Sequence, residues 1–336
     1  MLVVDWRNRR HKFIRLSVLL MGLMLVTGLT GCAGSGEKEP PKTIVSLRDV
    51  KVGFSQMENN GPWRVAETNS IMSEAKDRGV ELVYTDAKGS VEKQITDVAY
   101  LLEQDIDYLL LAPKTYEDLS EALALAKAKG VPVILIDRSA KGVPGVDFLT
   151  ILISDNVWEA KQAGWLMADA TGERAKIIEL KGTKGASSTE ERTRGFNSII
   201  DRHPFMEVIA SEFADFERAE GKKVMENIIR ENKGEFNAVY AQNDEMAIGA
   251  IMALKAAGIE PGIDVTVISI DGEKDALKAI LTGDLHASIE CTPFFGPIAF
   301  DIIDKHIKGE HIEFIYINED RIFTKDNAAE FIDEAF

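Results

Sequence analysis

The sequence predicts an α/β protein made of two doubly wound parallel-sheet domains, and three observations lead there. Setting aside an N-terminal targeting segment leaves about 305 of the 336 residues, more than one hydrophobic core usually organises. From Val50 onward, short apolar runs alternate with amphipathic segments of helical length, as parallel strands joined by crossover helices require. These units fall into two consecutive arrays that meet near residues 148–155, with no significant internal repeat.

The predicted strands, in order, are 50–54, 81–85, 108–111, 131–136, 148–153, 176–180, 208–212, 238–241 and 265–270, with helices between them. The segment 118–129 shows why the gaps read as helices. Leu119, Leu123 and Ala126 recur at spacings of four and three, and Gly130 before Val131-Pro132 is a stop signal followed by a buried strand. Those three apolar residues are core. After Ala287 the chain reads strand, helix (296–308) and short strands to Phe323, which suits repeated crossing between two domains better than a third domain.

Residues 1–31 read as a signal peptide. Arg7, Arg9, Arg10, Lys12 and Arg15 precede an apolar run from Leu16 to Leu29, too short for the roughly 20 residues of a membrane-spanning helix. The run closes on Leu29-Thr30-Gly31-Cys32, which looks like a lipobox, so Cys32 is expected to be lipidated and to become the first mature residue. Two or more acyl chains, at roughly 0.8 kcal/mol per buried CH₂, would hold the protein at a membrane surface. Residues 32–48, with Gly-Ser-Gly and Pro-Pro, cannot bury a core and predict a flexible, lipid-anchored linker.

The signal carries five Arg/Lys against one Asp, so the rest of the chain is four charges more negative than the −16 of the whole, near −20. An acidic body argues against nucleic acid or anionic lipid as an electrostatic partner. Cys32 and Cys291 are the two cysteines, and lipidation of the first leaves the second unpaired, so no disulfide framework is expected. His11, His203, His286, His306 and His311 are scattered, so neither a metal site nor metal catalysis is predicted. Gly182-Thr183-Lys184-Gly185 matches neither phosphate-binding glycine pattern and reads as a strand-to-helix turn. No cofactor and no catalytic residues are assigned.

In open parallel sheets, ligands bind beyond the carboxyl ends of the strands. Those ends carry Ser55-Gln56, Asp137-Arg138, Asn243-Asp244 and Asp271. Carboxylates accept from hydroxyls, arginine forks donate to oxygens and asparagine does both, which together suit a compact polyhydroxylated ring. Trp63 and Phe216 are candidate platforms for its apolar C–H face, although either ring alone reads more often as packing. Asp137 or Asp271 alone could equally be a helix N-cap.

Eight motifs in register sharpen this reading: Phe54-Ser55-Gln56, Pro62-Trp63-Arg64, Leu135-Ile136-Asp137-Arg138, Ser154-Asp155-Asn156, Glu179-Leu180-Lys181-Gly182-Thr183, Arg192 with Gly195-Phe196, Ala241-Gln242-Asn243-Asp244-Glu245-Met246, and Ile270-Asp271-Gly272. Over residues 50–308 the chain resembles the type I periplasmic sugar-binding family, in particular the ribose binders and, more closely, the galactofuranose binders. The resemblance implies that Asp137, Arg138, Arg192, Asn243 and Asp271 hydrogen-bond a sugar, that Trp63 and Phe216 stack on it, and that Arg64 and Gln56 come next. Arg64 stands where ribose binders have a second aromatic, and Cys291 where they have a hinge glutamine, so ribose itself is a poor expectation and a galactofuranose-like or other furanose or pyranose a better one.

Family geometry further implies a hinge of three crossings, near Ile153, near Cys291 and after about Ile317. That gives an N-terminal domain of 49–152 plus 292–318 and a C-terminal domain of 153–291 plus 319–336. The implied role is that of a monomeric binding lipoprotein, not an enzyme, that closes on a monosaccharide and delivers it to the permease of an ABC importer. The alternative is a sugar-sensing co-receptor for a membrane receptor or histidine kinase. Related sugar-responsive repressors carry an N-terminal DNA-binding module where this chain has its signal and linker, so DNA regulation is not expected.

Overall fold

In a computed structural model of the protein, which describes residues 44–232 and 235–336, apolar runs and helices alternate as the pattern requires. The first half runs β1 (Lys51–Gln56), α1 (Gly61–Arg78), β2 (Glu81–Asp86), α2 (Val91–Leu102), β3 (Tyr108–Leu111), α3 (Ser120–Lys129), β4 (Val133–Ile136) and β5 (Thr150–Ile153). The second continues through α4 (Asn156–Ala170), β6 (Arg174–Lys181), α5 (Ser187–Ile200), β7 (Phe205–Phe213), α6 (Arg218–Asn232), β8 (Ala238–Ala241), α7 (Asp244–Ala256), β9 (Thr266–Asp271), α8 (Lys274–Thr282) and β10 (Ala287–Glu290). The chain closes with α9 (Gly296–Ile307), β11 (Ile315–Ile317), β12 (Ile322–Thr324) and α10 (Ala328–Phe331).

Two six-stranded sheets result, ordered β11-β5-β4-β3-β1-β2 and β12-β10-β9-β8-β6-β7. Every pairing is parallel except β10 with β12. In each sheet the first strand lies between the second and third, so the order reverses there, and such a switch point opens a crevice at the strand carboxyl ends. The central strands β3 (Tyr-Leu-Leu-Leu) and β8 (Ala-Val-Tyr-Ala) are buried along their whole length, as strands covered by helices on both faces must be. The chain passes between the two layers three times: β5 and α4 belong to different layers, as do β10 and α9, which packs on α1, and as do β11 and β12.

Strand ends differ from the apolar runs for identifiable reasons. β1 and β9 run on through polar Gln56 and Asp271, because their backbones still pair with Asp86 and Glu290. β4 starts after Pro132, whose ring nitrogen cannot donate to a ladder. The tether expected through Arg48 ends earlier than its composition suggests. Ile44 and Leu47 pack on the core, and Asp49 folds back to accept from the Ser46 N–H (3.0 Å) around a short 3₁₀ turn, Leu47–Asp49. Cys32 and the signal segment lie outside the described residues. No described helix is long and apolar enough to cross a membrane.

α6 and α7 approach so closely that Gly249 has no room for a side chain: a Cβ there would overlap the Arg218 carbonyl oxygen and come within 2.7 Å of the Lys222 nitrogen. Both are backbone atoms and cannot swing aside. Gly249→Ala is therefore expected to destabilise the protein by about 1–3 kcal/mol, read as a lower urea midpoint; an unchanged midpoint would mean the pair is less tightly docked.

Candidate binding cleft

The strand carboxyl ends of the two sheets face one cavity of ≈ 300 Å³, at the small end of the range for ligand pockets. Trp63 and Arg64 enter it from the first turn of α1, where Pro62 pre-sets the helical backbone, and Arg138 enters from the turn after β4. From the other layer come Arg192 of α5, Phe216 between β7 and α6, Asn243 before α7, and Asp271 at the end of β9. Seven of the nine residues expected from the sequence thus share one wall.

The other two stand behind it. Gln56 is fully buried with its amide committed: Nε2 donates to Glu67 Oε2 (2.9 Å) and Thr68 Oγ1 (3.2 Å), and Oε1 accepts from the Met57 N–H (3.0 Å). Both amide hydrogens are spent on α1 and the side chain does not reach the cavity, so Gln56 is corrected from a contact to a support. Asp137 takes an Nη2 hydrogen bond from Arg64 and lies 3.4 Å from Arg138 Nε without the alignment of a hydrogen bond. It orients the arginines instead of lining the cavity.

Each arginine has a distinct state. Arg64 is gripped by Asp137 and by Glu67 (2.8 Å), and its guanidinium lies 4.6 Å from the Trp63 ring centroid. Arg192 donates from Nε to Glu159 (3.0 Å) and from Nη1 to the Gln242 carbonyl (2.6 Å), with Nη2 3.7 Å from Asp271. Arg138 is the least committed: Nη1 touches the Met57 sulfur (3.0 Å) and the Lys114 carbonyl (3.2 Å), while Nε has no hydrogen-bond partner. Burial, followed by the neighbouring Arg64 charge, pulls its pKa down to about 10, so it stays cationic at neutral pH. Phe216 lies between two of these cations, its centroid 5.3 Å from Arg138 and 5.9 Å from Arg192.

The carboxyls facing them are destabilised as anions. Burial pushes Glu159 up to about 7 against the pull of Arg192. Burial also pushes Asp271 well up, Arg192 opposing and Asp244, Glu159 and Asp137 adding. Asp244, itself pushed up to about 6 by burial, is structural: it accepts from Ser269, from Ser288 (2.7 Å) and from the Glu273 N–H (2.7 Å), tying β9 and β10 to the start of α8. Asn243 is the N-cap of α7, with Oδ1 accepting from the Met246 N–H (3.0 Å) and Nδ2 donating to the Phe216 carbonyl (3.1 Å).

Backbone strain gathers here. Asp137 (φ 65°), Asp215 (53°), Phe216 (62°) and Asp271 (134°) all have positive φ, a conformation that costs a non-glycine residue on the order of 1–3 kcal/mol and persists where surroundings enforce it. The strain aims Phe216 across Gly182, where a Cβ would overlap the ring. The two layers also touch at the rim: Asn60 Nδ2 donates to Glu217 (3.0 Å), the Ser139 N–H to Ser187 Oγ (2.9 Å), and the Tyr116 N–H to the Gly185 carbonyl (3.0 Å). Trp63 is fixed by donating to the Cys291 carbonyl (2.7 Å) and by edge contact with Phe295.

The wall also includes Glu58, Ser188, Asp215, Glu217, Arg218, Glu245, Glu273 and Cys291, which the sequence did not single out as contacts. In so acidic a chain a carboxylate near a strand end is no signal; adjacency to Phe216 or Asp271 was the usable clue. Among the described residues no group of His, Cys, Asp or Glu is arranged to hold a metal ion.

A polar, aromatic-flanked cleft between two doubly wound sheets, with three chain crossings beside it, defines the two-lobed solute-binding architecture of the type I periplasmic binding proteins. Residues 52–311 match the periplasmic binding protein domain, and the chain belongs to that family. It is 36% identical over 312 residues to the galactofuranose-binding protein YtfQ of Escherichia coli, covering 92% of this chain and 96% of that one. It is also 36% identical over 302 residues to the ribose import binding protein RbsB of Bacillus subtilis, covering 88% and 93%. Among solved structures, the binding protein of the arabinose ABC transporter of Shewanella sp. ANA-3, bound to α- and β-L-arabinofuranose, superposes with a TM-score of 0.82 at 36% identity over 84% of this chain and 95% of that one.

Two outcomes are expected. Gly182→Ala should displace the Phe216 ring and weaken ligand binding while leaving the unliganded melting temperature near wild type; unaltered affinity would show that the ring position does not matter. Glu159 has a folded pKa above its unfolded one, so its contribution to stability is complete below the ordinary carboxylate range near 4.5 and is lost as pH rises through about 7. His286 and His306, lowered by burial, titrate in the opposite sense. The comparison is therefore with Glu159→Gln, which should gain on wild type by up to about 1.4 kcal/mol per pH unit between pH 5 and 7 in urea titrations. Parallel profiles would contradict the assignment.

Proposed function

We propose that the protein is an extracytoplasmic sugar-binding lipoprotein, held to the membrane through Cys32, that captures a monosaccharide in its cleft and delivers it to an ABC importer. One observation carries this reading: two aromatic rings and four arginines from opposite layers share a single small cavity with buried carboxyls. A sugar offers two apolar faces and a girdle of hydroxyls. Trp63 from the first layer and Phe216 from the second suit the faces, while Arg64, Arg138, Arg192, Asn243 and Asp271 suit the girdle, Asp137 and Gln56 holding the first layer's share in place.

A furanose is favoured. The galactofuranose-binding and arabinofuranose-bound relatives both match over more than four-fifths of this chain at 36% identity. Arg64, gripped by two carboxylates, presents a polar edge where a flat aromatic would select a plainer ring.

Capture works by closure. The segments 49–152 with 292–318 and 153–291 with 319–336 act as lobes around the three crossings, and a ligand favours the closed form only by touching both. The rim contacts from Asn60 to Glu217 and from Ser139 to Ser187 are then latches whose formation presents one continuous face to the permease.

Thermal melts with D-galactose, L-arabinose, D-ribose and D-fructose test the reading. A cognate sugar at about 100 times its Kd should stabilise the protein by about 2.7 kcal/mol, and Arg138→Ala or Asp271→Ala should cost about 2–5 kcal/mol of affinity by stranding a buried partner. No shift with any sugar of the panel would remove the proposal, and normal binding by both variants would move the site. Loss of uptake on gene deletion distinguishes an importer component from a receptor ligand.

A further inference from the structure

Glu273 has no structural task that explains it. It follows Asp271-Gly272 and occupies the N-cap position of α8, yet its carboxyl makes no capping bond, and only its backbone is used, the N–H donating to Asp244 and the carbonyl accepting from the Leu277 N–H. The side chain is 1% exposed and lines the cavity, and neither oxygen accepts from any N–H or O–H of the described residues. Glu245 lies beside it, but two carboxyls can share a hydrogen bond only through a proton that one of them holds.

Buried polar groups are almost always satisfied, and an unpaired ionised carboxylate costs several kcal/mol. Burial, then the charges of Asp244, Asp271 and Glu245, push the Glu273 pKa well up, which favours the neutral acid, a form able to donate and to accept. The cations on its side of the cleft are already engaged: Arg218 with Glu245 and Asp275 (3.0 Å), and Arg192 with Glu159. This end of the cavity therefore has hydrogen-bonding capacity to spare and no uncommitted positive charge. Arg138, the least committed arginine, belongs to the opposite layer.

We propose that Glu273 is a specificity-determining residue of the cleft, which hydrogen-bonds a hydroxyl of a neutral sugar and bars sugars that carry an anionic group at that end. The inference rests on the sugar-binding reading and adds a chemical class to it: neutral monosaccharides are accepted, uronic acids refused.

Calorimetry on the full chain tests it with D-galactose, L-arabinose and D-galacturonate against wild type, Glu273→Gln and Glu273→Val. Glutamine keeps a donor and an acceptor, so Glu273→Gln should bind the neutral sugar nearly as wild type does, whereas Glu273→Val should lose about tenfold or more. D-galacturonate should not compete on wild type. Should Glu273→Val fail to fold, Glu273→Asp, which withdraws the acid by one methylene, reads the same loss. Wild-type affinity in Glu273→Val, an equal loss in Glu273→Gln and Glu273→Val, or D-galacturonate binding as tightly as D-galactose would each overturn the proposal while leaving sugar binding intact. Failure of wild type to bind any neutral sugar would overturn both.

Discussion

The cleft depends on buried guanidinium groups being held by carboxylates of their own layer before any ligand arrives. Arg64 is fixed by Glu67 and Asp137, and Arg192 by Glu159 and the Gln242 carbonyl. An unpaired arginine at this depth would carry an uncompensated desolvation cost, and a free one would lose rotamer entropy on binding. Pairing within each layer removes both costs in advance. It also leaves each fork with a fixed orientation.

The same arrangement explains why so many carboxyls have raised pKa values around one cavity. Burial and neighbouring carboxyl charges push Asp271 and Glu273 well up, and burial pushes Glu159 up to about 7 although Arg192 opposes it. A protonated carboxyl is a donor as well as an acceptor, which suits hydroxyl ligands better than a row of carboxylates would. Stability is given up for this: the folded chain must carry strained backbone at Asp137, Asp215, Phe216 and Asp271 and buried polar atoms without partners, among them Arg138 Nε and both Glu273 oxygens.

The scaffold that tolerates this is ordinary and tightly packed. Central strands sealed on both faces, and helices that approach to backbone contact at Gly249, give each layer its own rigidity. The connection between the layers consists of short segments beside Ser154, Cys291 and residues 318–321, with Trp63 hydrogen-bonded to the Cys291 carbonyl at one of them.

Much of this was legible in the sequence. The order of strands and helices followed from the alternation of apolar runs with amphipathic segments, since that periodicity is a property of neighbouring residues, and β3 and β8 emerged with the bounds that their apolar runs define. Polar residues at strand ends pointed to the cleft, because parallel sheets place those ends together. Tertiary structure alone decided which of them face the cavity. Gln56 and Asp137 are drawn behind the wall by Glu67 and Arg64, Asn243 doubles as a helix cap, and Glu273 and Cys291 enter the wall. Arg64 and Asp137 stand 73 residues apart, Arg192 and Glu159 33 apart. Who pairs with whom at such separations is set by strand order and helix docking, and the identity of a residue does not say whether its charge will be spent on the protein or kept for a ligand.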